Sequence, residues 1–483
     1  MSRCLSIYFH NLYFYLPRIF YIFPRRFTLD NGPGLTKNRL DSEKSAAARR
    51  KQEAVMKLTT RGKYFYLDGK PFFWLGDTAW LLFSRLTTEE AKAYLRNRAE
   101  KGFTVIQATL IHSPNYATLD GRRALLNEDF AAPAREGYWE HALELVRYAK
   151  KLGLFMALLP AWGGFVRDGQ LNEENIPAYI AFLAETFGRE ENVIWLAGGD
   201  VRGSAAPEAF RLIGRALKRL CPDHLVGFHP FGRCSSSFWF GGDDWLDFNM
   251  FQSGHRDYNQ KNMSAWDDND VFYGEDNYRY VQEDHRTCPD KPTLDGEPSY
   301  ELIPHGLHDG TQPYWQAADV RRYAWWSLLS GAAGHTYGDN AIMQFLKPGF
   351  APSFSALENW DEALHDPGSG QMRHAKWLLE KVAFTTGRSA QEFIAGPNGE
   401  RHAYRAALLT DKALLVYSYE GDVISLNTAR LPFERPVFSW FDPVSGALSY
   451  AGAATKAEKV DFTLPNRREA VNDWVLVIEE AID

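Results

Sequence analysis

From about residue 60 onward the chain alternates between two textures. Short runs of consecutive apolar residues are separated by stretches in which apolar positions recur every three or four residues. Eight such runs can be marked: Phe72–Gly76, Val105–Ile111, Leu154–Ala161, Val193–Ala197, Leu225–His229, Phe248–Gln252, Pro292–Asp295 and Gly334–Tyr337. A strand that is apolar at successive positions, rather than alternate ones, is covered on both faces, as in a parallel sheet flanked by helices. The intervening stretches carry helix punctuation. In "LTTEEAKAYLRNRAEKG" a threonine stands at the N-cap, glutamates fill the first turn and a glycine ends the pattern. Eight runs separated by helical stretches predict an α/β fold, a (β/α)8 (TIM) barrel. The competing architecture, a doubly wound open sheet, usually has a glycine-rich phosphate loop after an early strand, and none follows here.

The pattern differs at both ends. In "KYFYLDGKPFFWLGDTAW" two β runs flank Asp68-Gly69, which predicts a hairpin. Beyond "MRHAKWLLEKVAFTTG" the helical period is lost. Segments such as "ALLVYSYEG", "VFSWFDPVSGALSY" and "DWVLVIEE" then predict a small antiparallel β-sandwich over residues 386–483, after a catalytic domain over 57–385. Residues 1–55 read as a disordered or mis-annotated extension. The aromatic, basic stretch "LSIYFHNLYFYLPRIFYIFPRR" is broken by His10, Asn11, Pro17 and Arg18. It fits neither a spanning helix nor a clean signal peptide, and a degenerate signal anchor is the alternative. The expected compartment is the cytoplasm, or outside it if that segment is a signal.

Composition narrows the function classes. A net charge of −7 excludes a non-specific nucleic-acid binder, which needs a basic surplus. Aromatic content of 14%, with 15 tryptophans, suits either stacking on sugar rings or a large core. The cysteines Cys4, Cys221, Cys234 and Cys288 form no C-x-x-C pair, and no H-E-x-x-H or paired Cys/His spacing occurs. No metal-ligand set and no cofactor are therefore expected. The acidic "WDDND" at 266–270 reads as a solvated loop, with a bound cation as the alternative.

In a (β/α)8 barrel the chemistry lies at the C-terminal ends of the strands. The polar and aromatic residues that end the eight runs are Asp77, His112, Trp162, Asp200, His229, Gln252, Glu297, Tyr337 and Asp339. Trp80, His255 and His335 lie close by. Asp200 and Glu297 belong to runs on opposite sides of the mouth, an arrangement suited to glycoside cleavage, in which one carboxyl protonates the leaving oxygen while the other attacks the anomeric carbon. Asp200 is assigned as acid/base and Glu297 as nucleophile. The glycines of "AGGD" are expected to clear space for substrate, and "DGEP" sets Glu297 between Gly296 and Pro298. Against this stands a structural reading, in which both acids are partners of arginines at the rim. Asp77, Trp80, His112, Trp162, His229, Gln252, His255, His335, Tyr337 and Asp339 are candidate substrate-binding residues. Asp77 could instead hold the first loop, the histidines and tryptophans could be packing groups, and Tyr337 could hydrogen-bond Glu297.

The blocks "FFWLGDTAW", "WLAGGD", "FHPFG", "FQSGH", "DGEPSYE" and "GHTYGD", in that order, resemble the apiosidase-like glycoside hydrolases, family 140. The resemblance covers about residues 57–480. It implies a (β/α)8 catalytic domain followed by a β-domain of the collagen-binding type, and hydrolysis of an apiose-linked side chain of the pectin rhamnogalacturonan II. It also implies that Asp200, in "GGD", is the acid/base and Glu297, in "GEP", the nucleophile. The partner implied is an oligosaccharide, with no membrane and an open oligomeric state. Two rivals are a barrel glycosidase for another sugar, such as an arabinoside, and a non-catalytic carbohydrate-binding protein.

Overall fold

The structure, a computed structural model, describes residues 56–260, 274–466 and 471–481. The extension 1–55 and the acidic stretch 266–270 lie outside the described residues. Each of the eight apolar runs contains a strand: Trp74–Thr78 (β1), Val105–Thr109 (β2), Phe155–Leu159 (β3), Val193–Val201 (β4), Val226–Pro230 (β5), Asn249–Gln252 (β6), Thr293–Asp295 (β7) and Gly334–Tyr337 (β8). β1 to β5 pair in sequence, all in parallel. β6 to β8 do the same, and β8 returns to β1 through Gly334↔Trp74 and Tyr337↔Asp77. Between β5 and β6 the ladder is interrupted. The Asp247 amide donates to the Val226 carbonyl at 2.9 Å, and the Asp247 carboxylate accepts from the Val226 amide at 2.7 Å. Nearer the C-terminal end a short antiparallel strand, Cys234–Ser235, lies along β6. The barrel is thus nearly closed.

The expected hairpin joins Tyr64–Leu67 to Lys70–Phe72. Both turn residues have positive φ, Asp68 at 51° and Gly69 at 76°, as a two-residue type I′ turn requires. Phe65 of this hairpin meets Trp74 and Phe248 with ring centroids 5.5 and 5.4 Å apart. Those two rings stand where β1 and β6 begin, so the hairpin plugs the end of the barrel opposite the mouth. The helix Thr88–Glu100 starts at Thr87 with a full capping box to Glu90, as its sequence predicts.

After the helix Pro367–Lys381, the chain builds a six-stranded antiparallel sheet and a separate two-stranded one. Residues along its central strands alternate in direction. Leu414, Val416, Leu476 and Ile478 pack with Ile424, Leu426 and Phe462 beneath the two-stranded sheet. Ala413, Leu415, Tyr417, Val475 and Val477 belong to the core of the barrel itself. There Tyr417 stacks on Trp325, with centroids 5.9 Å apart, and Arg321 forms a buried 2.9 Å ion pair with Asp473. The sheet is therefore covered on both faces, and Met56–Asp483 forms one compact unit.

Candidate active site

Two strand ends supply the acids, and the backbone geometry at each explains its sequence. At the end of β4, Gly198, Gly199 and Asp200 all have positive φ, at 89°, 109° and 48°. This bulge shifts the register between β4 and β5. A side chain at Gly198 would lie 2.3 Å from the His229 carbonyl, and one at Gly199 would lie 3.0 Å from the Gly163 amide. The glycines thus serve a left-handed backbone and the close approach of neighbouring chain, in place of the substrate clearance expected from "AGGD". A non-glycine residue in this region is uncommon and mildly strained; here it turns Asp200, partly exposed, into the mouth.

Glu297 follows β7. Gly296, just before it, faces into the barrel against the Met250 side chain, where a Cβ would sit 2.4 Å from sulfur. Gln107 of β2 reaches across the interior and donates to the Gly296 carbonyl at 2.9 Å. The loop after β6 is laced to the same segment: the Gly254 amide donates to the Glu297 carbonyl at 3.0 Å, and the Ser299 hydroxyl donates to the Gly254 carbonyl at 2.8 Å. These bonds fix His255 against Glu297. Its Nε2 lies 3.1 Å from Glu297 Oε1, and the Nε2 of His229, from β5, lies 3.1 Å from Oε2.

The electrostatics of the two acids diverge. Burial alone would raise Glu297, but hydrogen bonding and positive potential from His229 and His255 more than offset it and hold the carboxyl at about 2. Asp200 is pushed up to about 6 by burial and by the charge of Glu297, against partial opposition from His229, Gln252 and His255. The two carboxyls are thus close enough to sense each other, and between those values one is ionised while the other holds its proton.

Aromatic groups complete the cleft. Trp80 meets Trp162 edge to face at 5.4 Å and His229 at 5.1 Å, and His112 lies 4.8 Å from Trp162. Burial pushes His112 down to about 4, so it is neutral at pH 7. Tyr300, which the strand-end reading missed, stands between: its hydroxyl accepts from Trp80 Nε1 at 3.2 Å and its ring meets His255 at 4.6 Å. It lies three residues past Glu297, and its aromatic character in "GEPSYE" was the available signal.

Four candidates lie elsewhere. Asp77 is fully buried, with its Oδ2 taking Arg98 Nε at 2.5 Å and the Tyr94 hydroxyl at 2.6 Å. His335 faces Ser327 of the helix Ala317–Leu329 at 3.4 Å. Tyr337 donates to Glu301 at 2.6 Å, in place of the expected bond to Glu297. Asp339 caps the helix Asn340–Gln344 by accepting from the amides of Ala341 and Ile342. The physical reason is alternation: on a strand, Asp77, His335 and Tyr337 point outward to the helices, opposite to the inward positions. Of the twelve candidates the structure brings together Asp200, Glu297, Trp80, His112, Trp162, His229, Gln252 and His255.

Residues 59–386 match the family described as "Apiosidase-like, catalytic domain". The chain belongs to the apiosidase-like glycoside hydrolases. Residues 389–479 of this hydrolase match a second family, "Putative collagen-binding domain of a collagenase". Among solved structures, the apiosidase-like chain is 37% identical to a protein titled "Glycoside hydrolase", with a TM-score of 0.84 over 89% of this chain and 98% of that one. It is 35% identical to a glycoside hydrolase family 5 protein from Bacteroides vulgatus ATCC 8482, with a TM-score of 0.83 over 88% and 94%. No curated protein matches it. Membership makes the protein a hydrolase with a carbohydrate substrate. Among the described residues no helix is long and apolar enough to cross a membrane.

Proposed function

We propose that this glycoside hydrolase works with retention of configuration, with Glu297 as nucleophile and Asp200 as acid/base, on apiosyl linkages of plant cell-wall oligosaccharides such as those of rhamnogalacturonan II. The observation that carries the catalytic assignment is geometric: Glu297 lies between the Nε2 atoms of His229 and His255, each 3.1 Å from one of its oxygens, with Asp200 close enough to be raised by its charge, so the two acids are driven toward opposite protonation states. In the first step a Glu297 oxygen bonds to the anomeric carbon as the glycosidic C–O bond breaks, and the proton of Asp200 goes to the leaving oxygen. In the second, the Asp200 carboxylate takes a proton from water, whose oxygen attacks the same carbon and releases Glu297. Neutral His112 and the partly exposed Trp162 flank the opening, where a donor or acceptor and a ring face would meet the sugar. The apiose assignment rests on the family match.

The test is a panel of aryl glycosides and rhamnogalacturonan II oligosaccharides, with released sugars followed by chromatography and the first-formed anomer read by NMR. Apiose released in its starting configuration, and no release by Asp200→Ala or Glu297→Ala, is the expected result. Release of another sugar, such as arabinose, would keep the mechanism and replace the substrate. Undiminished turnover by Glu297→Ala would leave a binding protein.

A further inference from the structure

On the helix side of the barrel, away from the cleft, three carboxylates converge. Asp339 follows β8, Glu358 lies in the next loop, and Asp366 sits at the N-cap of the helix Pro367–Lys381. One oxygen from each lies within 4.8 Å of the other two. Asp339 is fully buried, and its two oxygens differ. Oδ1 accepts the amides of Ala341 and Ile342 at 2.8 and 2.9 Å. Oδ2 has no donor, although it is shielded from solvent. Glu358 Oε1 and Asp366 Oδ2 are likewise shielded and lack a donor outside the cluster, while Asp366 lies within hydrogen-bonding reach of both Asp339 and Glu358.

Like charges at this separation repel strongly unless something neutralises them. Three nearby cationic side chains are bonded to other groups. Lys101 Nζ is bonded to the Leu364 carbonyl and the Ser369 hydroxyl at 2.6 and 2.5 Å, Arg98 to Asp77 and Arg321 to Asp473. A fourth acid, the buried Glu301, lies nearby. Burial, with Asp366 beside it, pushes Glu358 up to about 7.

The ligand set suits a particular ion. Calcium takes several carboxylate oxygens in flexible geometry, whereas magnesium keeps most of its water and is usually held by one or two carboxylates, so three convergent carboxylates favour calcium. Glu358 and Asp366 are partly exposed, which leaves one side open to entry and to water ligands. We propose that Asp339, Glu358 and Asp366 form a calcium site that ties the loop after β8 to the start of the helix Pro367–Lys381. The ligands stand 19 and 8 residues apart in sequence, which explains why no metal motif is visible along the chain.

The test uses the full chain stripped with a chelator, titrated with calcium chloride or magnesium chloride alone in a calorimeter, with Tm read in parallel. One calcium per chain is expected, bound at least tenfold tighter than magnesium, with a Tm rise of about 2 °C or more at saturation. Glu358→Gln and Asp366→Asn should lose that binding while melting, metal-free, at or above the stripped wild type, because one of the repelling charges is gone. That last readout separates loss of a ligand from misfolding. Absence of both heat and a Tm shift in the wild type at about 10 mM calcium would overturn the proposal, as would undiminished calcium binding by Glu358→Gln and Asp366→Asn. A stripped protein whose Tm follows pH near neutrality and ignores calcium would show that protons neutralise the cluster, and would overturn it as well.

Discussion

Glu297 and Glu301 are two glutamates four residues apart, both buried, on one loop, and their surroundings drive them in opposite directions. Glu297 faces two imidazole Nε2 atoms and is held at about 2. Glu301 has burial as its dominant influence, with the Tyr337 hydroxyl and the Gly368 amide as donors and Asp366 nearby, and it is pushed up to about 7. Burial raises both. What separates them is whether donors and positive potential from two histidines are aimed at the same oxygens. Under the proposed mechanism Glu297 must be ionised in a buried place to attack carbon, and the two histidines favour that state. Glu301 has no such pair and serves as a structural acceptor.

The sharpest way to break this contrast is to neutralise each acid in turn. Glu297→Gln should lower kcat/KM on the order of 10⁴-fold or more, as removal of a nucleophile does. Asp200→Asn should cost about 10²–10⁴-fold on substrates with poor leaving groups and much less on activated aryl glycosides. The pH profile of kcat/KM comes next. Activity needs ionised Glu297 and protonated Asp200, so it should plateau between about 2 and about 6 and fall tenfold per unit above. A descending limb that persists in Asp200→Asn would sink the acid assignment.

Removing one of the imidazoles with His255→Ala should move the acidic limb upward, because one of the two groups holding Glu297 down is gone. The smallest effect belongs to Glu301→Gln, which should leave kcat/KM within about threefold, because a group already neutral loses little in becoming an amide. Stability against pH separates the two glutamates once more. Glu297 is depressed below its ordinary 4.5, so its contribution is present above 4.5 and lost as pH falls toward 2. Glu301 is raised above 4.5, so its contribution is present below 4.5 and lost as pH rises through 7. Urea titrations of the two variants across pH should each flatten the corresponding limb.

The barrel was legible because its strands are covered on both faces, which removes polar interruptions and leaves eight continuous runs. The positions of Asp200 and Glu297 were legible because a strand end in such a barrel opens on the mouth. The misplacements share one origin: the strand-end rule says where along the axis a residue lies, and parity says which side it faces. His335 and Tyr337 are two apart and so share a face; Tyr337 pairs with Asp77 in register across β8 and β1, and all three point to helices. The glycines of "AGGD" were read from the substrate's side, whereas the backbone angles at Gly198 and Gly199 are invisible without coordinates. In the C-terminal region, "ALLVYS" and "WVLVIEE" were read simply as sandwich strands. Their unbroken apolar character was the sign of a second buried face, and the barrel supplies it.

That second face decides how the C-terminal region can behave. With Tyr417, Val475 and Val477 sunk into the catalytic body and Asp473 locked to Arg321, it cannot swing on a tether as a detachable anchor would. Every surface it carries therefore stands at a fixed distance from the Asp200–Glu297 pair, like the fixed jaw of a caliper.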